Sequence, residues 1–352
     1  MKLKIGKSME SGRELFIAYG DEDAINNHIG FYGKSGMGKT YTLNALAQQC
    51  LQRNYACIII DYSQSYSDKN TRDENIRIID VDEYQIGIFR VRTSRGEREN
   101  PFKYASRVSS ILQRMFKLGE VQKDFVFQIA KAERESGREL SFETLRSKDL
   151  AGKKSEQLKI ARKIATWENA PCFYPSKCFM DWNEIISSGE TVIISFGDLY
   201  SDCDKVFLAE LIMLDLLAFC EERGPINNIS NENLVNKPFV LCLDEIQRLS
   251  FSDHMPLKRF LTEGRKFGAN IWASTQSIEL LEPDEQILLG QAEIIFEFRP
   301  DDKAIKKYRQ ENDKRHMDLK KLNRGQCLVT ARYVRKDGKR TRRASLFVQI
   351  EK

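Results

Sequence analysis

The chain has 352 residues, a net charge of +5, 41% hydrophobic residues and 8 cysteines. A chain of this length can bury a substantial core and form one large domain with an insertion, or two domains. It has no apolar run near the roughly 18 residues of a membrane span, no apolar signal-peptide segment near its start, and no C-x-x-C pair that would indicate a zinc site. We therefore expect a cytoplasmic protein without a membrane segment, whose cysteines are buried thiols.

Residues 28–50, HIGFYGKSGMGKTYTLNALAQQC, follow a short β-rich lead-in and read as a strand, a glycine-rich loop and a helix. Gly33, Gly38, Lys39 and Thr40 fit G-x-x-x-x-G-K-[ST], a pattern in which backbone N–H groups and the start of a helix bind phosphate. Lys39 would reach the β- and γ-phosphates, and Thr40 would place its hydroxyl on the Mg²⁺ between them. The alternative is an ordinary glycine turn, which the flanking strand and helix make less favoured. The residues expected to contact the nucleotide are Gly33, Lys34, Ser35, Gly36, Met37, Gly38, Lys39, Thr40 and Tyr41.

Apolar strands and helices alternate after this loop. Residues 55–61 (YACIIID) and 75–81 (NIRIIDV) are predicted strands, and this alternation favours a mostly parallel sheet with helices on both faces. Ligands of such sheets bind at the carboxyl ends of the strands, where the glycine loop lies. Residues 103–170 read as helices, and strands resume at residue 191. The sequence thus predicts a first part of the core over residues 1–90, a helical insertion over 91–188, and a second part of the core over 189–352.

The run PFVLCLDEIQRL, residues 238–249, reads as a buried strand that ends in two carboxylates. Asp244 would serve the water shell of a phosphate-bound Mg²⁺, and Glu245 would polarise the attacking water. Many apolar strands end in acidic residues without any such role. The position of this pair, about 200 residues after a phosphate-binding loop and at the end of a later predicted strand, favours the catalytic interpretation.

A third block, LTEGRKFGANIWASTQS, spans residues 261–277. An amphipathic helix is predicted to end near Phe267, with Gly268 at its C-cap, and a strand follows. The polar side chain of Gln276 at the end of that strand would sense the γ-phosphate or hold the water. The alternative is a turn-forming Thr-Gln pair.

The last part of the chain is basic, because residues 301–352 contain 17 lysines and arginines against 7 acidic residues. An Asp-Gly turn between two β-like runs, CLVTARYV and ASLFVQI, predicts a C-terminal β-hairpin. Its cations could bind the phosphates of DNA, or they could simply form a solvated hairpin tip. They are Arg335, Lys336, Lys339, Arg340, Arg342 and Arg343.

Taken together, NNHIGFYGKSGMGKT, IIIDYSQSYS, LCLDEIQRL, EGRKFGANIWASTQS and the basic hairpin resemble the HerA/FtsK superfamily of P-loop ATPases. The HerA-like members and the related ATPases of conjugation are the most similar. The resemblance implies a RecA-like core, a hexameric ring around DNA and ATP-driven translocation of duplex DNA. It also implies that Gln276 is the sensor and that Arg265 acts on bound nucleotide, and residue position alone leaves open whether Arg265 does so in its own chain or across a subunit boundary.

Two departures from the family pattern leave the expected ATP chemistry intact but bear on the expected ring assembly and partner docking. HerA members carry an N-terminal β-barrel, whereas only 32 residues precede Gly33 here, so we expect that barrel to be absent or vestigial. Relatives often have Asp-x-x-x-Glu-Tyr after the second strand, whereas residues 61–66 of this chain read DYSQSY and lack the glutamate.

We therefore expect an α/β protein with a RecA-like P-loop core, a helical insertion and a C-terminal hairpin, which uses ATP and Mg²⁺. The expected function is a DNA-translocating ATPase in DNA processing or anti-phage defence, acting as a ring with a partner effector such as a nuclease. The main alternative is an NTP-driven switch that controls such a partner without travelling on DNA. A small-molecule kinase is less favoured, because the Asp-Glu pair suits water activation.

Overall fold

The computed structural model describes residues 1–20, 24, 26–66, 76–94, 97–148, 154–165, 167, 170–173, 177–198, 200–226, 234–252, 255–276, 278, 281–301, 318–335 and 337–351. Its strands are β1 (Lys2–Ser8), β2 (Glu14–Ala18), β3 (Ile29–Tyr32), β4 (Cys57–Ile60), β5 (Ile76–Asp80), β6 (Thr93–Ser94), β7 (Glu97–Arg98), β8 (Thr191–Ser195), β9 (Phe239–Leu243), β10 (Ala269–Thr275), β11 (Ile294–Phe298), β12 (Gln326–Val334) and β13 (Arg340–Gln349). Its helices are α1 (Lys39–Leu51), α2 (Pro101–Met115), α3 (Glu120–Glu135), α4 (Phe142–Ser147), α5 (Lys154–Ile164), α6 (Trp182–Ser188), α7 (Asp202–Arg223), α8 (Pro256–Glu263) and α9 (Pro283–Gly290).

A large sheet organises the first of two compact units, which comprises residues 1–79, 183–195 and 235–352. Within the described residues the strand order is β13-β1-β2-β12-β11-β3-β10-β9-β4-β8-β5. The six strands from β11 to β8 are parallel to one another. Strands β3, β4, β9 and β10 are buried at every residue, as expected for parallel strands covered on both faces. The predicted α/β fold with a mostly parallel sheet is confirmed.

The order of the parallel strands determines which residues meet at the carboxyl edge. Strand β10 lies between β3 and β9, so the segments that follow these three strands lie side by side. At the opposite edge, the imidazole of His28 is buried before β3, and its Nδ1 accepts a hydrogen bond from the Ile271 N–H of β10 at 2.9 Å. Burial lowers the pKa of His28 to about 4.

Aromatic side chains fill the core around β3 and β10. Trp272 is fully buried and donates its indole N–H to the Tyr19 hydroxyl at 3.0 Å. Phe31 stacks on Phe296 with ring centroids 5.1 Å apart. The central strands are therefore joined by side-chain packing as well as by the backbone ladder.

The chain termini form a closed ring of four antiparallel strands. Strand β1 pairs with β2 and β13, and β12 pairs with β2 and β13. A Cβ at Gly6 would lie 2.1 Å from the Gln349 carbonyl oxygen, so β13 approaches β1 as closely as it does because residue 6 is glycine. The hairpin of β12 and β13 is where the sequence predicted it, but the N-terminal strands complete it instead of forming a separate lead-in.

The second compact unit comprises residues 80–182 and 196–234 and is mostly helical. Helix α2 begins with Pro101, and the Asn100 side chain accepts a hydrogen bond from the Lys103 N–H at 2.9 Å, which is a typical N-cap. Helix α7, which lies in the predicted second part of the core, groups with this unit. The predicted division into 1–90, 91–188 and 189–352 stays a prediction about domains. No helix in the described part of the chain is long and apolar enough to cross a membrane.

Candidate nucleotide site

The glycine-rich loop follows β3 directly and takes a conformation that requires glycine. Gly33, Gly36 and Gly38 have φ angles of 140°, 78° and 113°. A Cβ at Gly33 would also lie 2.7 Å from the Phe298 Cβ. The Gly33 N–H donates to the carbonyl oxygen of Thr275 at 3.2 Å, and the Lys34 N–H donates to the carbonyl oxygen of Arg299 at 2.9 Å. These two N–H groups therefore hold the loop against its neighbours, and the N–H groups that could face a phosphate lie further along the loop.

Lys39 is the first residue of α1, and its ammonium group lies against the backbone of the glycine-rich loop. Its Nζ donates to the carbonyl oxygens of Gly33 at 2.6 Å and Lys34 at 3.3 Å. Only 8% of the residue is exposed. Burial lowers the pKa of Lys39, and the negative charges of Asp244 and Glu245 oppose that shift. The cation is thus held where a phosphate would enter.

Asp244 follows β9 and is 7% exposed. Its Oδ1 accepts hydrogen bonds from the Ser274 hydroxyl at 2.6 Å and from the Glu245 N–H at 2.9 Å. The Thr40 hydroxyl donates to Oδ2 at 3.5 Å, the long limit of a hydrogen bond. The carboxylate is fixed on one side and faces Thr40 on the other. Ser274 was not predicted as a site residue, because its only signal in the sequence is its place in the Ser-Thr-Gln segment.

Glu245 and Gln276 form the other polar pair at this edge. Gln276 Nε2 donates to Glu245 Oε1 at 2.9 Å, and Arg248 lies 3.5 Å from Oε2. Glu245 has a φ of 51°, a left-handed conformation that is unfavourable for a residue other than glycine. Such strain persists only where the surrounding structure maintains it, and strained residues cluster at functional sites.

The segment after β4 supports the acidic strand. Asp61 is fully buried, and its carboxylate accepts hydrogen bonds from the N–H groups of Ser65 at 2.8 Å and Tyr66 at 3.0 Å. The neighbouring Tyr62 donates its hydroxyl to the Asp244 carbonyl oxygen. The Asp61 carboxylate therefore holds the turn that follows β4. The sequence did not reveal the role of Tyr62, because its partner is 182 residues away.

Residues of the glycine-rich loop and of the segments after β4, β9 and β10 line one pocket, and every lining residue belongs to the first compact unit. The pocket brings part of the glycine-rich loop together with Asp244, Glu245 and Gln276. Of the residues predicted to contact the nucleotide, Gly33, Lys34 and Met37 do not line it. The pocket adds Ser65 and Arg324, which the sequence analysis did not single out. The lining residues are Ser35, Gly36, Gly38, Lys39, Thr40, Tyr41, Ser65, Asp244, Glu245, Gln276 and Arg324.

Arg265 lies away from this pocket. It is exposed in a 3₁₀ turn, Gly264–Phe267, that ends at Gly268 in the left-handed conformation just before β10. Strand β10 is parallel to β3, so this turn lies at the edge opposite the loop. A seven-residue strand spans about 20 Å. Arg265 therefore cannot reach the pocket of its own chain.

The basic hairpin also lies away from the pocket, because β12 begins beside the loop and runs antiparallel to β11 towards the opposite edge. Of the predicted DNA-binding residues, Arg343 donates to the Ala292 carbonyl oxygen at 2.7 Å. Lys336 lies outside the described residues. Four others are exposed around the turn at Gly338: Arg335, Lys339, Arg340 and Arg342.

Comparisons with known proteins identify a family. The family model described as "Helicase HerA, central domain" matches residues 3–213. VirB4 of Thermoanaerobacter pseudethanolicus is similar in structure, with 16% sequence identity, a TM-score of 0.68, and coverage of 99% of this chain and 96% of that chain. The bacterial conjugative coupling protein TrwBdeltaN70 is similar at 15% identity and a TM-score of 0.60, covering 100% of this chain and 94% of that chain.

The plasmid coupling protein TrwB in complex with ADP and Mg²⁺ is similar at 16% identity and a TM-score of 0.53, covering 92% of this chain and 84% of that chain. At such identities these structural similarities show the fold, which is that of RecA-like P-loop ATPases. No curated protein matches the sequence. Because the family model covers more than half of the chain, the protein belongs to the HerA central-domain family.

Proposed function

We propose that the protein is a Mg²⁺-dependent ATPase that moves along duplex DNA as a ring-shaped homo-oligomer. One observation carries the ATPase part of the proposal. A single pocket holds a buried lysine on a glycine loop, a threonine beside an aspartate, and a glutamate bonded to a glutamine. These are the groups that phosphate binding, metal binding and water activation require.

The donor set fits Mg²⁺ only when a nucleotide is present. Among the described residues, no group of three or more His, Cys, Asp or Glu could hold a metal ion. Thr40 Oγ1 and Asp244 Oδ2 lie side by side, and Mg²⁺ in such sites is completed by phosphate oxygens and water. When bound, Mg²⁺ neutralises charge on the β- and γ-phosphates. TrwB, a protein of the same fold, binds ADP with Mg²⁺, which supports this choice of ligands.

The side chains of this chain divide the remaining work. Lys39 would exchange its carbonyl partners for phosphate oxygens and so hold the triphosphate. Glu245 would accept a proton from the attacking water, and Gln276 would keep the carboxylate turned towards it. Asp244, fixed by Ser274, would keep the Thr40 hydroxyl beside it in place.

Three features support the DNA and oligomer parts of the proposal. The fold is shared with a conjugative coupling protein, the hairpin tip carries exposed cations, and Arg265 lies too far from its own pocket to act there. A partner effector such as a nuclease, a role in anti-phage defence and a cytoplasmic location complete the proposal. The location is supported by 8 free thiols, six of which are buried.

Steady-state ATP hydrolysis with and without duplex DNA tests the proposal. We expect Mg²⁺-dependent turnover that duplex DNA stimulates and that Lys39→Ala abolishes in both conditions. If duplex DNA does not change the turnover, the motor assignment is wrong and the alternative, an NTP-driven switch that controls a partner, takes its place. No turnover in the presence of Mg²⁺, DNA and ATP would refute the ATPase assignment.

A further inference from the structure

The pocket contains a second cation, Arg324, which the mechanism above does not use. We propose that Arg324 binds the phosphate oxygens of the nucleotide held by its own chain, beside Lys39. The inference rests on the proposed ATP site and adds a residue that the glycine-loop pattern does not include.

The backbone around Arg324 is fixed to the phosphate-binding loop. On one side, Leu322 is buried in a cluster with Leu319 and Leu328. On the other side, the Gly325 N–H donates to the carbonyl oxygen of Met37, within the loop, at 3.0 Å. A Cβ at Gly38 would lie only 3.7 Å from the Gly325 Cα, so the two backbones are in close contact. Arg324 therefore keeps its place relative to the loop.

Arg324 also changes the net charge of the side chains that line the pocket. Its lining carries two carboxylates, Asp244 and Glu245, against Lys39 and Arg324. Without Arg324 the lining would be net negative, which opposes the binding of a triphosphate. Within the described residues, the exposed Arg324 side chain makes no hydrogen bond or ion pair, whereas Arg248 pairs with Glu245. The guanidinium of Arg324 is thus available to an anion.

An arginine suits this position better than a lysine. Its planar guanidinium can donate two parallel hydrogen bonds to phosphate oxygens, and it stays charged beside other cations. The same turn also supports the hairpin, because the Gly325 carbonyl oxygen accepts hydrogen bonds from the Ile350 N–H at 2.8 Å and from Gln349 Nε2 at 3.1 Å. A phosphate bound by Arg324 would therefore lie close to the start of β12 and the end of β13.

Calorimetric titration with ATPγS and with ADP, each with Mg²⁺, tests the inference. We expect Arg324→Ala to weaken ATPγS binding about tenfold or more, because two charge-assisted hydrogen bonds are lost. Arg324→Lys should recover part of the affinity. A loss larger for ATPγS than for ADP would place the contact on the γ-phosphate, and an equal loss would place it on the β-phosphate. The melting temperature of each variant without nucleotide should match that of the wild type.

Lys321→Ala is the matched control. Lys321 is a cation three residues earlier, 70% exposed and paired with Asp318 at 2.8 Å, and it does not line the pocket. Its substitution should leave both affinities unchanged. Wild-type affinity for ATPγS in both Arg324→Ala and Arg324→Lys would overturn the inference and leave the ATP site intact. A wild-type protein that binds neither nucleotide, or binds no better than Lys39→Ala, would instead refute the proposed function and the inference with it.

Discussion

Asp244 and Glu245 are adjacent in the sequence, yet the structure surrounds their carboxylates differently. Asp244 is almost fully buried, and one of its oxygens is held by Ser274. The Glu245 side chain is 30% exposed and is bonded to Gln276. A fixed, buried carboxylate suits a metal-side role, whereas an accessible carboxylate with an orienting partner suits proton transfer. The proposed division of roles between the two carboxylates rests on these surroundings and not on the residue types.

The first prediction separates phosphate binding from water activation. Lys39→Ala should lose nucleotide binding and hydrolysis together, because the cation at the loop is removed. Glu245→Gln should keep binding but lower turnover by on the order of a hundredfold or more, since only the proton acceptor is lost. Titration with ATPγS and steady-state hydrolysis measure the two effects. Near-normal turnover in Glu245→Gln would move the activating role to Asp244 or Gln276.

A second prediction concerns the left-handed conformation of Glu245. Glu245→Ala and Glu245→Gly both remove the carboxylate, but only glycine removes the backbone strain. Glycine also loses more conformational freedom on folding than alanine does. With that cost included, Glu245→Gly should still be more stable than Glu245→Ala by about 1 kcal/mol. Urea unfolding of the two inactive variants measures the difference. If alanine is the more stable substitution, Glu245 does not store strain in its backbone.

At the scale of elements, the sheet order explains which residues could be predicted. Lys39, Asp244 and Gln276 each follow a short apolar strand, and such local patterns are visible in the sequence. The parallel arrangement of β3, β10 and β9 then places those strand ends side by side. The parallel arrangement of the strands, which the sequence predicts, is therefore also the reason why these residues lie together.

The features that the sequence did not predict depend on contacts between distant segments. The ring at the termini requires β1 to pair with β13, with Lys7 opposite Gln349. Arg324 reaches the pocket only because the turn before β12 is bonded to the phosphate-binding loop. No periodicity or spacing near residue 324 indicates this, since a cation before a glycine is common in exposed turns.

The hairpin gives a third prediction, on DNA binding. Neutralising four exposed cations at its tip should weaken duplex binding for all sequences and lower the slope of log affinity against log salt by up to about 4, because each lost phosphate contact retains about one counterion. Fluorescence anisotropy at several salt concentrations measures the slope. The residues to change are Arg335, Lys339, Arg340 and Arg342.

A control variant for this experiment neutralises four exposed cations in the helical unit: Lys103, Lys131, Lys159 and Arg162. It removes the same formal charge and should change the salt slope less. Equal slopes in the wild type and the hairpin variant would identify the tip as a solvated hairpin without DNA contacts.

At the scale of the whole molecule, Arg265 and the pocket lie at opposite edges of the same sheet. An arginine that stabilises charge on the γ-phosphate must approach the pocket, and Arg265 cannot do so within its own chain. A head-to-tail contact between identical chains would bring the Arg265 edge of one chain to the pocket of the next, and such contacts form a ring when the rotation between neighbouring chains closes. The pocket would then be complete only in the assembly.

The last prediction tests this arrangement by mixing inactive subunits. Arg265→Ala chains keep an intact pocket, and Lys39→Ala chains keep an intact arginine. In an equimolar mixture that exchanges subunits, about a quarter of the interfaces would pair the two intact halves, so up to about a quarter of wild-type turnover should return if the sites act independently.

A mixture of Arg324→Ala and Lys39→Ala chains is the matched control, because Arg324 acts in its own chain and every pocket in that mixture lacks either Arg324 or Lys39. Its turnover should stay at the mean of the two parents. Exchange is shown by co-purification of differently tagged chains, and an Arg265 mixture that exchanges but stays as inactive as its parents would contradict a pocket shared between subunits.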